Sequence, residues 1–122
     1  MARHNTYTCV AGCPVEATLD LIGGKWKGLL LFHLLDGVQR FNELRRGLPG
    51  VTQRMLTKQL RELEAAGLVH RTVFAEVPPR VEYRLTDLGQ SLRPIVLAMR
   101  EWGAEYLQGR ADSGSPDIAK AG

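Results

Sequence analysis

The stretch FNELRRGLPGVTQRMLTKQLRELEAAGL, Phe41 to Leu68, constrains this chain more than any other. It divides into two segments with apolar residues at helical spacing, separated by Leu48-Pro49-Gly50. Proline biases the residue before it away from helix, and glycine permits a tight turn. The first segment sets Phe41, Leu44 and Leu48 on one side. In the second, Leu56, Leu60 and Leu63 follow at spacings of four and three, which is one side of a 3.6-residue helix. Thr52 is the expected N-cap, since its hydroxyl can accept a hydrogen bond from a free first-turn amide. Gly67 stands where a left-handed residue ends a helix. Opposite the leucines, the wheel places Arg54, Thr57, Lys58 and Arg61, with Gln53 at the rim. Two short helices at a fixed crossing, the second oily inside and basic outside, are the sequence form of a helix-turn-helix. The plain alternative is a helical hairpin with a solvated charged face.

The residues after Leu68 favour the helix-turn-helix. Val69, Arg71, Val73 and Ala75 alternate with His70, Thr72, Phe74 and Glu76. Val81, Tyr83 and Leu85 alternate with Glu82 and Arg84. Period-two alternation predicts strands over 69–76 and 81–85. Val77-Pro78-Pro79-Arg80 joins them as a stiff hairpin tip, because proline cannot donate to a ladder. A helix-turn-helix followed directly by a two-stranded hairpin is a winged helix. The expected class is therefore mainly α with a small β-hairpin. Arg80 is expected at the wing tip, placed to reach a minor groove or a phosphate row; the bland reading is that it solvates the loop.

Charge supports the same placement. The chain has 122 residues, which suits one domain, and a net charge of only +3. Residues 40–84 hold nine Lys/Arg against five Asp/Glu, a local net of +4, and the remainder is net −1. A basic surface confined to the paired helices and hairpin is the electrostatic footprint of a phosphate-binding face. No run approaches the roughly 18 apolar residues of a membrane span. The start of the chain lacks a signal-peptide pattern, so a cytoplasmic location is expected.

The flanking segments read as support. Residues 1–12 form a weakly patterned arm, and 13–108 are the expected domain. Cys13-Pro14 opens a helix with Val15, Leu19 and Ile22 on one face, ended by Gly23-Gly24. Lys25 to Leu35 is a second helix, with Trp26, Leu29, Leu30, His33 and Leu34 expected at the core centre. Gly28 inside it costs about 1 kcal/mol against alanine, unless another backbone packs close. Thr86 caps a last helix with Leu88, Leu92, Ile95, Val96, Met99, Trp102 and Tyr106 as a long stripe. Pro94 should kink it near Gln90 or Ser91. The stripe exceeds what one small domain can cover. A homodimer through the terminal helices is expected, with Leu19, Leu92, Ile95, Met99, Trp102 and Tyr106 in the interface. The alternative is that the last helix folds back on its own domain. Residues 109–122 read as a disordered tail.

Several stretches together resemble the HxlR-type branch of the bacterial MarR-like winged-helix regulators. They are Cys13-Pro14-Val15-Glu16, Leu21-Ile22-Gly23-Gly24-Lys25-Trp26-Lys27, Arg40-Phe41-Asn42-Glu43-Leu44, Met55-Leu56-Thr57 and Leu60-Arg61-Glu62-Leu63. Behind them come Glu76-Val77-Pro78-Pro79-Arg80-Val81-Glu82-Tyr83, Leu85-Thr86 and Leu88-Gly89. The match covers residues 9–107. The resemblance implies a dimeric DNA-binding transcription factor with its dimer contacts in the terminal helices. It also implies that a cysteine at the position of Cys13 senses oxidants or electrophiles in some members. Gly28 departs from the bulky residue usual at its place, which bears on local packing.

The expected function is a transcriptional regulator, a repressor by preference, acting as a homodimer on a near-palindromic operator of double-stranded DNA. The helix from Thr52 enters a major groove, with Gln53, Arg54 and Lys58 on base edges and Thr57 and Arg61 on bases or phosphates. Arg40, Arg45 and Arg46 are weaker candidates for the DNA backbone, and Arg45 or Arg46 could as easily pair with local acids. Two such helices about 34 Å apart would read the two half-sites. Cys13 at a helix N-terminus favours a thiolate and, with Cys9, is a candidate for redox sensing, against the plainer role of a small packing residue. Cys9, Cys13 and His4 are too few ligands for zinc, so no metal and no cofactor is expected. A rival reading is a winged helix that binds only protein. An enzyme is disfavoured, because His4, His33 and His70 form no nucleophile-base pattern and no phosphate loop exists.

Overall fold

The computed structural model describes residues 12–113. The arm through residue 11, with Cys9 and His4, and the chain beyond 113 lie outside the described residues. The order is α1 (Pro14–Ile22), α2 (Lys27–Leu34), β1 (Gln39–Arg40), α3 (Phe41–Gly47), α4 (Gln53–Ala65), β2 (Val69–Phe74), β3 (Arg80–Leu85), α5 (Asp87–Gln90) and α6 (Arg93–Ser113). The winged helix-turn-helix is α3, α4 and the β2–β3 hairpin.

The sheet is antiparallel with order β1-β3-β2, one strand more than the sequence suggested. Gln39 pairs with Tyr83 and Arg40 with Glu82. Two residues are too few to display alternation, so β1 left no periodic trace. Its last residue leads straight into α3, where the Arg40 amide donates to Glu43 Oε1 at 2.7 Å. β2 pairs with β3 from Val69 opposite Leu85 to Phe74 opposite Arg80. Arg80 is thus a ladder residue of the hairpin rather than part of its tip.

The core forms where α2 meets its neighbours. This helix packs against α1, α3, α6 and β3. Leu30, Leu31 and Leu34 are fully buried, together with Leu44, Leu56, Leu60, Leu63 and Leu68. The expected face of α2 was displaced: Leu29 is 42% exposed, and Trp26 and His33 are half-buried. The run Leu29-Leu30-Leu31-Phe32 offers an apolar residue in every direction, so the packing partners choose the face. Gly28 lies beside the Ile22 carbonyl, 3.5 Å from where a Cβ would stand, so the end of α1 does pack there.

The last helix is broken rather than kinked. Pro94 lacks an N–H, and its ring opposes the carbonyl four residues back, Gln90, where α5 ends. Arg93 pins the break, donating to the Leu35 carbonyl at 3.1 Å and to Gln90 Oε1 at 3.0 Å. α6 runs through Ser113, past the expected domain end at 108. Leu92 and Val96 are buried in this chain's own core, so Leu92 is not an interface residue. Leu19, Ile95, Met99, Trp102 and Tyr106 remain exposed, as an interface role requires.

Candidate nucleic-acid interface

Both ends of α4 are fixed by local chemistry. At its start Thr52 Oγ1 accepts from the Met55 amide at 3.0 Å. The preceding turn closes through the Val51 amide to the Leu48 carbonyl at 3.1 Å, with Gly50 at φ +93°. Leu48 and Val51 are both buried, which anchors the turn against the core. At its end the Leu68 amide reaches the Leu63 carbonyl and the Gly67 amide the Glu64 carbonyl, each at 3.0 Å. With Gly67 at φ +80°, this is a Schellman ending. It turns the chain directly into the wing.

Leu56, Leu60 and Leu63 fix the rotation of α4 about its axis, since all three are fully buried. The opposite side must then face solvent. Gln53, Arg54, Lys58 and Arg61 are exposed along it. Thr57 is half-buried, and its hydroxyl donates to the Gln53 carbonyl at 2.9 Å. These five residues and Glu62 line one shallow concave surface. Arg54 and Arg61 have no ion-pair partner among the described residues, which leaves their planar forks available to a groove edge or phosphate.

A second groove of about 370 Å³ runs between α4 and the wing, lined by Gln53, Thr57, Arg61, Glu64 and Arg71 among others. Arg71 was missed as a site residue. Its signal lay in the register: it stands across from Tyr83 and in phase with buried Val69, on the strand face turned toward α4. Arg45 and Arg46 are exposed in the last turn of α3, also without an ion pair among the described residues. Arg40 is exposed at the N-cap of α3.

Arg80 departs from expectation. Its guanidinium lies 4.1 Å from the centre of the Phe74 ring. It pairs with Glu76 at 3.2 Å, and its Nε lies 3.4 Å from Glu82 without hydrogen-bond geometry. The expected free cation at the tip is instead a clasp across the hairpin, because both neighbouring acids and the aromatic ring converge on it.

Lys58 is also engaged. Glu62 accepts from Lys27 of α2 at 2.8 Å and pairs with Lys58 at 3.2 Å. The Lys27 ammonium, then Lys58, holds the Glu62 carboxyl below the usual carboxylate range against a smaller opposing effect of burial. Lys27 was not anticipated as part of this surface, because its partner lies 35 positions along the chain.

The surfaces of α1 and α6 are different in kind. Cys13 is an exposed free thiol at the N-cap of α1. Trp102 and Tyr106 stack on α6 with ring centres 5.3 Å apart and planes 13° apart. Among the described residues no group of three His, Cys, Asp or Glu is arranged to hold a metal. Among the same residues no helix is long and apolar enough to cross a membrane.

Comparison with known proteins agrees with this geometry. The HxlR-like helix-turn-helix family profile matches residues 21–111. The chain is 63% identical over 101 residues to the uncharacterised HTH-type transcriptional regulator YybR of Bacillus subtilis (strain 168), covering 83% of this chain and 81% of that protein. The solved structure of the redox regulator HypR in its oxidised form superposes with a TM-score of 0.74 at 66% identity, over 76% of this chain and 96% of that one. The reduced form of the transcriptional regulator YodB from B. subtilis superposes at 0.66 with 36% identity, over 77% of this chain and 93% of that one.

Proposed function

This chain belongs to the HxlR-like helix-turn-helix family and is a DNA-binding transcriptional regulator, and from that premise we propose that it acts in the cytoplasm as a homodimeric repressor on a near-palindromic operator. The observation that carries the reading is the outer face of α4, where Arg54 and Arg61 stand exposed, without an ion-pair partner among the described residues, opposite three buried leucines. Gln53, Arg54 and Lys58 read base edges, and Thr57 and Arg61 contact bases or phosphates. Arg71 joins them from the wing. Arg40, Arg45 and Arg46 hold the DNA backbone, and Arg80 shapes the wing that lies against it. The dimer forms through α1 and α6, with Leu19, Ile95, Met99, Trp102 and Tyr106 covered by the second copy. This spaces the two copies of α4 for half-sites about 34 Å apart.

Cys13 is the proposed sensor of oxidants or electrophiles. Its exposure, and its place on a helix assigned to the dimer contact, support that role. So does similarity to HypR and YodB, solved in oxidised or reduced and in reduced or diamide-treated forms respectively.

The test is a titration on DNA upstream of the chain's own gene, reduced and after mild thiol oxidation, with random duplex as control. Preference for the upstream DNA that changes on oxidation, and does not change in Cys13→Ser, is expected. Preference indifferent to oxidation removes the sensor. Absence of any preference for this DNA removes the self-regulating repressor. In the same assay Arg54→Ala should cost about 1–3 kcal/mol on the operator and far less on random DNA. Equal losses on both would end its assignment as a base reader.

A further inference from the structure

Glu62 is an acid on a surface that otherwise offers cations and amides to DNA. It lines the same concavity as Gln53, Arg54, Thr57, Lys58 and Arg61. An exposed pair with Lys58 four residues earlier would be weak and mobile by itself. Here the carboxylate has a second, less exposed partner. Lys27, whose side chain is only 19% exposed, reaches across from α2 and holds Oε1 at 2.8 Å, leaving Oε2 for Lys58 at 3.2 Å. We propose that Glu62, anchored by Lys27, is a specificity-determining residue that occupies Lys58 and suppresses sequence-independent DNA binding.

The physical basis is the difference between a base edge and a phosphate. An ammonium has three donors, and the pair with Glu62 uses one. The remaining donors can reach a neutral acceptor such as guanine O6 or N7 without breaking the pair. A phosphate bears a full negative charge, so the fixed carboxylate repels it and competes with it for the same ammonium. Sequence-independent affinity consists almost wholly of phosphate contacts, so it bears most of this penalty. A carboxylate free to swing away would not impose it, which is the reason for the second lysine. The inference rests on the assignment of α4 as the DNA-reading helix.

The test compares wild type, Glu62→Gln, Lys58→Met and the double variant across a salt series, on random duplex and on the upstream DNA. Thermal unfolding establishes that each variant is folded, and Glu62→Ala repeats the measurement should the glutamine variant fail to fold. For Glu62→Gln the affinity for random DNA should rise about tenfold at low salt, with the slope of log K on log salt steeper by about one. Affinity for the upstream DNA should rise less, lowering the ratio of the two several-fold. In the Lys58→Met background Glu62→Gln should change slope and ratio far less, since only the direct repulsion of phosphate is left to remove. An unchanged random-DNA slope in Glu62→Gln overturns the inference. So does a change that persists equally without Lys58, which would mark a general charge effect. A wild type with no preference for the upstream DNA defeats the operator reading alone, since the random-DNA slopes still decide the role of Glu62. A wild type that binds no duplex defeats both.

Discussion

α4 and α6 are both amphipathic, and they dispose of their apolar residues in opposite ways. α4 has 13 residues, and its three periodic leucines are completely enclosed by the same chain. α6 has 21 residues and buries Val96, while Ile95, Met99, Trp102, Tyr106 and Leu107 stay exposed. The cause is position. α4 packs against β2, and the leucines of its inner face are enclosed in the common core. α6 buries Val96 and still lines a groove against α2 with Met99 and Arg100, but Trp102, Tyr106 and Leu107 farther along are exposed. An exposed tryptophan stacked on a tyrosine is a large apolar area to leave in water. The outward face of α4 is thus set within one chain, whereas apolar residues along α1 and α6 stay uncovered in it.

Substitutions in the two helices test that contrast. The largest effect is expected at the enclosed helix. Leu60→Ala should destabilise the fold by about 2–5 kcal/mol in urea unfolding, because it opens a cavity that the neighbours cannot close. A loss under about 1 kcal/mol would mean that α4 is less well enclosed than its burial indicates. At the open helix, Trp102→Ala should leave the core nearly untouched and weaken self-association about tenfold or more, equivalent to about 1.4 kcal/mol. Sedimentation over a concentration series measures this, and unaltered association would remove Trp102 from the interface.

Smaller effects refine the account of α4. Thr52→Ala should cost about 1 kcal/mol through loss of the cap to Met55. It should also reduce operator affinity, since it frays the turn that bears Gln53 and Arg54. The smallest effect is acid dependence. The Glu62 carboxyl is held low in the folded chain, so its contribution is present above its unfolded value and is lost as pH falls through the folded one. The Tm difference between wild type and Glu62→Gln should therefore be constant near neutrality and shrink in acid. It should be modest, because Glu62 and Lys58 are largely exposed. A difference that grew on acidification would reverse the assigned sign.

Much of the reading surface was legible because its determinants are local. The cap at Thr52, the turn at Leu48-Pro49-Gly50, the leucine spacing and the glycine stop all lie within one short stretch. Together they specify a helix, its ends and its outward residues. The misplaced assignments share a different character. The buried face of α2 depended on which helices flank it, since Leu29 and Leu31 are equally apolar and only one is enclosed. The side taken by Leu92 depended on the break that Arg93 stabilises against Leu35. Arg80 looked free at a proline-rich tip, yet register placed it between Glu76, Glu82 and Phe74.

The helix-turn-helix, the wing and the basic outer face of α4 were already specified along the chain, because helical and strand periods are set by residues a few positions apart. Which of those cations are free was decided only by packing. Among the described residues Arg54, Arg61 and Arg71 have no ion-pair partner, whereas Lys58 and Arg80 are claimed by acids. The physical reason is that charge pairing acts through space over a few ångströms. Lys27 and Glu62 come within 2.8 Å only after α2 and α4 have packed around the shared leucine core.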